Sequence, residues 1–236
     1  MIANASAEQC LSFIHSQLQA SDSAGEFVKK NVRRAVTISR QAGCGAAAVA
    51  EKLAHYLQHH SSGDGRPWAV FDRNLINKVL EDHNLPTHLA QFLPEDRVSQ
   101  LEDILADVFE VRPPSQTIIY QSTETVLKLA DLGNVILIGR GSVVITAKLP
   151  HVLRVRLVAP LEKRIEYACQ FYHLTETEAR KFCLSQDRGR ERYLKTYFNA
   201  DINDPLLYHL VINTGQVSYD AAAKLIGDAV WSLNPE

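Results

Sequence analysis

Short apolar runs recur along the chain, and stretches of helical periodicity separate them. The runs are Ala35–Ser39, Trp68-Ala69-Val70-Phe71, Val135-Ile136-Leu137-Ile138, Val152–Val158 and Leu210-Val211-Ile212. They are rich in β-branched residues and bounded by turn formers, which predicts five strands. Helical spacing marks residues 6–20 (Cys10, Leu11, Phe13, Ile14, Leu18), Ala46–His60, 73–83, Asp96–Glu110 and Ser115–Leu132, the last stopped by Gly133. Pro160 at the first position opens a further helix, Thr175 with Glu178 forms a capping box for the next, and Ser218 caps a final one. Strands alternating with helices predict an α/β fold with a five-stranded parallel sheet covered on both faces. Ligands of such sheets lie beyond the carboxyl ends of the strands. Arg40–Gly45, Asp72, Arg140 and Asn213-Thr214 all fall there.

The first of these junctions carries the clearest chemistry. Ser39-Arg40-Gln41-Ala42-Gly43-Cys44-Gly45 links a buried strand to the helix opening with Ala46-Ala47-Ala48. Glycines there let backbone N–H groups approach an anion, and the helix end adds its dipole. A phosphate loop of the form G-x-x-x-x-G-K-[ST] would follow with lysine and a hydroxyl. Here Ala46 stands where the lysine would be, and no hydroxyl follows. The same residues also fit G-x-G-x-x-A, a dinucleotide fingerprint, with Asp72 placed to hold a ribose hydroxyl. Three residues between strand and first glycine make that turn longer than a tight dinucleotide turn. Cys44 has no base assigned to it and reads as a small residue that fits.

A second charged feature lies at Gln186-Asp187-Arg188-Gly189-Arg190-Glu191-Arg192. On a helix Arg188 and Arg192 share a face and Arg190 points elsewhere. Guanidinium groups grip phosphate through paired N–H bonds. A solvated face with Asp187 and Glu191 as local partners is the plainer alternative. Arg164, likewise, has Glu162 and Glu166 as neighbours on its own helix, whereas Arg140 between two glycines at a strand end has room to act on a ligand.

Composition narrows these options. The chain has 236 residues and a formal charge of −2, giving no general attraction to nucleic acid or anionic membrane. The four cysteines are far apart and form no C-x-x-C pair, so neither a zinc cage nor a disulfide framework is expected. No secretory signal or run of about 20 apolar residues stands out, and a reduced, cytoplasmic setting is expected.

Four stretches together resemble the cytidylate kinase-like family, a branch of the P-loop nucleoside monophosphate kinases. They are Thr37–Gly45, Phe71-Asp72-Arg73-Asn74-Leu75-Ile76, Ile138-Gly139-Arg140-Gly141, and a long stretch from Val155–Arg164 through Asp187-Arg188 and Tyr193 to Asp204–Thr214. The resemblance covers about 34–230, leaving 1–30 as a helical extension. It implies a three-layer kinase fold with a helical monophosphate-binding insert near 73–130 and a helical lid near 160–200. It places ATP phosphates on Ser39, Arg40, Gln41, Ala42, Gly43, Cys44, Gly45, Ala46 and Ala47. The acceptor, a nucleoside monophosphate such as CMP, would meet Asp72, Arg73 and Arg140. Arg164, Arg188 and Arg192 would be the catalytic cations, with magnesium accompanying ATP.

The loop departs from that family's pattern, because Ala46-Ala47 supply no cation and Ala48 no hydroxyl. Arg40, on the other side of the turn, is a candidate to compensate. Three functions therefore stand at this point. They are an ATP-dependent monophosphate kinase, a nucleotide-binding regulator with little or no catalysis, and a dinucleotide-dependent oxidoreductase.

Overall fold

The computed structural model describes residues 34–60, 67–72, 95–108, 118–139 and 141–233. Five strands form one parallel sheet: β1 (Ala35–Arg40), β2 (Ala69–Phe71), β3 (Val135–Ile138), β4 (Val152–Val158) and β5 (Leu210–Asn213). Their spatial order is β2-β3-β1-β4-β5, so β1 lies at the centre. Val36 sits opposite Ile136 on one side and Leu153 on the other.

Seven helices are seen among the described residues: α1 (Ala46–His60), α2 (Glu95–Val108), α3 (Ile118–Leu132), α4 (Ser142–Ile145), α5 (Leu161–Tyr172), α6 (Glu176–Phe198) and α7 (Tyr219–Ser232). The strand alternation sorts side chains onto two cores. Ala35, Phe71, Val135, Leu137 and Val152 pack under α2 and α3. Val36, Ile38, Ile136, Ile138, Leu153, Val155 and Leu157 pack under α1 and α7. With both faces covered, β1 and β3 are apolar or small at nearly every position and read as continuous runs, whereas in the edge strand β5 only Ile212 is buried. A third, smaller core of Ala42, Ile165, Ala168, Ala179 and Cys183 ties the α5–α6 hairpin to the turn after β1.

The strands and long helices begin and end close to their expected bounds. Pro160 is the residue preceding α5 rather than its first residue. Its extended ψ of 142° places it in the cap, where a missing N–H costs nothing. The Thr175–Glu178 capping box is formed, and Ser218 Oγ accepts from Ala221 N–H at 3.2 Å. Helix α4 has no counterpart in the sequence expectations. It is four residues long, too short for a periodic signal. The expected helices at 6–20 and 73–83 lie outside the described residues, as does part of the expected insert.

Candidate functional site

The turn after β1 is held from three sides. Gln41 N–H donates to Leu157 O of β4 at 3.0 Å, continuing the β1–β4 ladder by one residue. Its side-chain Oε1 accepts from Ala159 N–H at 3.0 Å. Thr214, just past β5, donates to Cys44 O at 2.9 Å. Gly43 and Gly45 have φ values of 80° and 74°, where a side chain is strained. Both also lack space: a Cβ on Gly43 would strike the backbone oxygen of Arg164, and one on Gly45 the ring of Tyr219. The amide N–H groups of Gly43 and Gly45 make no hydrogen bond to any described residue.

The α5–α6 hairpin docks on this turn through a mostly buried ion network. Arg164 is 6 % exposed. It donates from Nη1 to Ala42 O at 3.2 Å and to Asp187 Oδ2 at 2.6 Å, and from Nε to Ala159 O at 3.0 Å. Asp187 Oδ1 accepts from Ala42 N–H at 2.7 Å and from Arg190 Nη1 at 3.1 Å. One carboxylate thus joins the turn to two guanidinium groups. Arg164 does not pair with Glu162 or Glu166; Lys163 takes Glu166 instead, at 2.9 Å.

Two cavities flank the turn. The larger, about 470 Å³, is bounded by Ser39, Arg40, Asp72, Gly139, Ser142, Tyr172 and, from α6, Phe182, Gln186, Arg190 and Tyr193. The smaller, about 330 Å³, lies between Tyr167 and Gln170 on α5 and Thr214, Gly215 and Tyr219 before and on α7. The Tyr167 and Tyr219 rings meet edge-on, centroids 6.3 Å apart.

Electrostatics concentrate in the larger cavity. Arg40 is partly buried, and its guanidinium forms no hydrogen bond or ion pair with described residues. Burial, and then the like charge of Arg190, pull its pKa down to about 10, so it stays charged at neutral pH. Arg190 is lowered too, by burial, with Asp187 opposing. Below them Ser39 Oγ accepts from Arg156 Nη1 at 2.8 Å, and Arg156 is itself only 5 % exposed. The Ser142 hydroxyl is buried beside the cavity and has no hydrogen-bond partner among the described residues.

Of the expected nucleotide-binding residues, Ser39 and Arg40 line a cavity, while Gln41–Ala47 form the turn and helix start between the two cavities. Asp72 lies at the cavity edge; Arg73 and Arg140 fall outside the described residues. Arg164 is fixed beneath the turn. Arg188 and Arg192 are exposed and line neither cavity. Arg190, set aside when the sequence was read as a one-faced arginine pair, is the α6 arginine inside the cavity. The signal that finds it is the spacing of Phe182, Gln186, Arg190 and Tyr193, which recur on one helix face. In the sequence Arg156 belongs to the fourth strand and to the Val155–Arg164 stretch, without a site role of its own. Charges inside a mainly apolar run call for partners, and Arg156 has Ser39 Oγ, Asn203 Oδ1 and the Tyr208 ring.

These features define an α/β protein with a glycine turn and clustered arginines at the carboxyl ends of its strands. The model of the cytidylate kinase-like family matches residues 35–216, and the chain belongs to that family. It is 32 % identical over 206 residues to a cytidylate kinase of Pyrococcus horikoshii, covering 85 % of this chain and 90 % of that one. A cytidylate kinase of Methanocaldococcus jannaschii is 22 % identical over 161 residues, covering 67 % and 90 %. A uronate isomerase of Corynebacterium glutamicum is 30 % identical over 106 residues; the match takes in 45 % of this chain and 20 % of that protein. An uncharacterized protein of Eubacterium ventriosum has a crystal structure that superposes with TM-score 0.57 at 18 % identity, covering 85 % of this chain and 99 % of that one.

Proposed function

We propose that this protein is an ATP-dependent phosphotransferase acting on a nucleoside monophosphate, with cytidylate as the first candidate acceptor. The observation that carries this is the turn after β1. Its Gly43 and Gly45 amides are unbonded among the described residues, it stands at the head of α1, and it is flanked by two cavities of ligand size. Backbone donors at a helix start favour phosphate oxygens. Family membership and the two archaeal cytidylate kinases support the same chemistry. Hydride transfer draws no support from them.

In this reading the donor's base rests in the smaller cavity, against the touching Tyr167 and Tyr219 rings, and its phosphates lie on residues 39–47. The acceptor enters the larger cavity past Asp72, with Arg73 and Arg140 on its phosphate. Transfer is in line, and the protein's part is to position the groups and stabilise spreading charge. The α5–α6 hairpin excludes water, so that the phosphoryl group reaches the acceptor rather than a hydroxide. Among the described residues a magnesium ion arriving with ATP would find one carboxylate lining the larger cavity, Asp72, since Asp187 is taken up by the turn and two arginines, and the turn 41–47 offers no hydroxyl. Among the described residues no three metal-ligating side chains converge. One carboxylate, water and phosphate oxygens are an ordinary magnesium environment, so that limited fit is met.

A second reading is a nucleotide-binding regulator without turnover. It is favoured by Ala46, which is 9 % exposed and packs into the core where a loop cation would stand. A coupled assay with ATP and a panel of monophosphates separates the two. ADP formation that depends on one monophosphate supports phosphotransfer. Thermal stabilisation by ATP with no product supports the regulator.

A further inference from the structure

The larger cavity holds two guanidinium groups that approach from different elements. Arg40 ends the central strand β1, where its backbone is paired with Leu157 of β4. Arg190 comes from α6, held there by Asp187. Arg40 stands apart from any charge run, whereas Arg190 belongs to the charged stretch 187–192. Arg40 is also given space deliberately. Gly139, at the end of β3, has φ 84°, and a Cβ there would strike Arg40 Nη1. The positive φ alone calls for glycine at 139, and a side chain there would in addition push the Arg40 guanidinium from its place.

Asp72 at the cavity edge favours the charge on Arg40 and Asp187 that on Arg190, yet burial outweighs both and, at Arg40, the like charge of Arg190 adds to it. Arg40 has no hydrogen-bonding or ion-pairing partner among the described residues, and Arg190 shares Asp187 with Arg164 and the Ala42 amide. Like charges drawn out of water into one cavity raise each other's free energy, and an anion between them reverses the sign of that interaction. The cavity also lies next to the turn, whose place for a cation is filled by buried Ala46.

We propose that Arg40 and Arg190 form a two-guanidinium clamp on one phosphate group, and that Arg40 supplies, from the end of β1, the positive charge the loop lacks at Ala46. The proposal rests on reading this cavity as a phosphate site. Planar guanidinium groups hold phosphate through paired N–H bonds, so a clamp of two is selective for a group with several free oxygens. Gly139 is the spacer that keeps Arg40 in line.

The test is calorimetric titration of the full chain with inorganic pyrophosphate and with ATP. Wild type is compared with Arg40→Ala, Arg190→Ala, the double variant, Gly139→Ala, and Arg180→Ala as an exposed charge control on the same helix. The clamp predicts that each single arginine variant loses at least tenfold in affinity for pyrophosphate. The double variant should lose less than the product of the two, because one ligand bridges both groups. Gly139→Ala should lose several-fold with both arginines still present, and Arg180→Ala should stay within twofold. If wild type binds while both arginine variants stay within twofold of it, the clamp is wrong and the phosphate site stands. If wild type binds neither pyrophosphate nor ATP, the phosphate reading itself is wrong. Should Arg40→Ala fail to fold, Arg190→Ala and Gly139→Ala decide the matter: unchanged affinity in both overturns the clamp.

Discussion

Cys44 stands inside the turn, yet its thiol is held away from reactivity. Burial pushes its pKa up to about 11, and the nearby positive charges of Arg40 and Arg190 only partly oppose that. At neutral pH it is therefore a protonated, 2 % exposed packing residue. Alkylation followed by peptide mass mapping of the native protein at pH 8 should label the partly exposed Cys169 well before Cys44 or Cys183. The shift also has a sign for stability. The unfolded thiol ionises near 9 and the folded one near 11, so the folded state loses stability as pH rises through that window. Cys44→Ala should show a shallower fall in Tm between pH 9 and 11, measured by calorimetry. Tyr167, raised to about 12 by burial, keeps the fall from vanishing. A variant whose fall is as steep as wild type would show that Cys44 stays ionisable in the fold.

The α5–α6 hairpin is joined to the β1 turn by polar as well as apolar contacts. Asp187 is the hub, because removing its charge strands Arg164 beneath the turn. Breaking one partner of a buried pair costs about 3 kcal/mol or more. For a domain of this size that is a Tm loss on the order of 6–12 °C. Asp187→Asn should therefore melt earlier by about that amount, read by circular dichroism. Glu191→Gln, on the exposed side of α6, should not. Gly43→Ala tests the same junction from the turn. Its Cβ would meet backbone rather than a movable side chain, so a loss of about 2 kcal/mol or more is expected. The sequence could reveal the hairpin itself, through the capping box and the apolar spacing of each helix. It could not reveal the docking. Asp187, Arg164 and Ala42 are far apart in sequence, and no local period links them.

The parallel sheet was legible because burial on both faces forces continuous apolar strands, and each strand is bounded by a turn former. The neighbourhood of the site was legible for a topological reason: parallel strands all deliver their carboxyl ends to one edge. What the sequence could not rank was which arginines face inward. Arg188 and Arg192 look like a pair at helical spacing, but the buried face of α6 is set by Cys183 and Leu194 packing elsewhere in the molecule. That face brings Arg190 into the cavity and leaves its two neighbours in solvent. Arg40 became meaningful only beside Gly139, a neighbour across the sheet. If phosphoryl transfer is the function, Arg190→Ala should lower kcat by about 10³-fold, the scale on which a transition-state arginine acts, while Arg192→Ala changes it little. The most direct check is a crystal structure with ATP and CMP bound. Phosphate oxygens within hydrogen-bonding distance of the Gly43 and Gly45 amides, and of both Arg40 and Arg190, are expected. Phosphates lodged elsewhere, with those two arginines touching only protein or water, would contradict it.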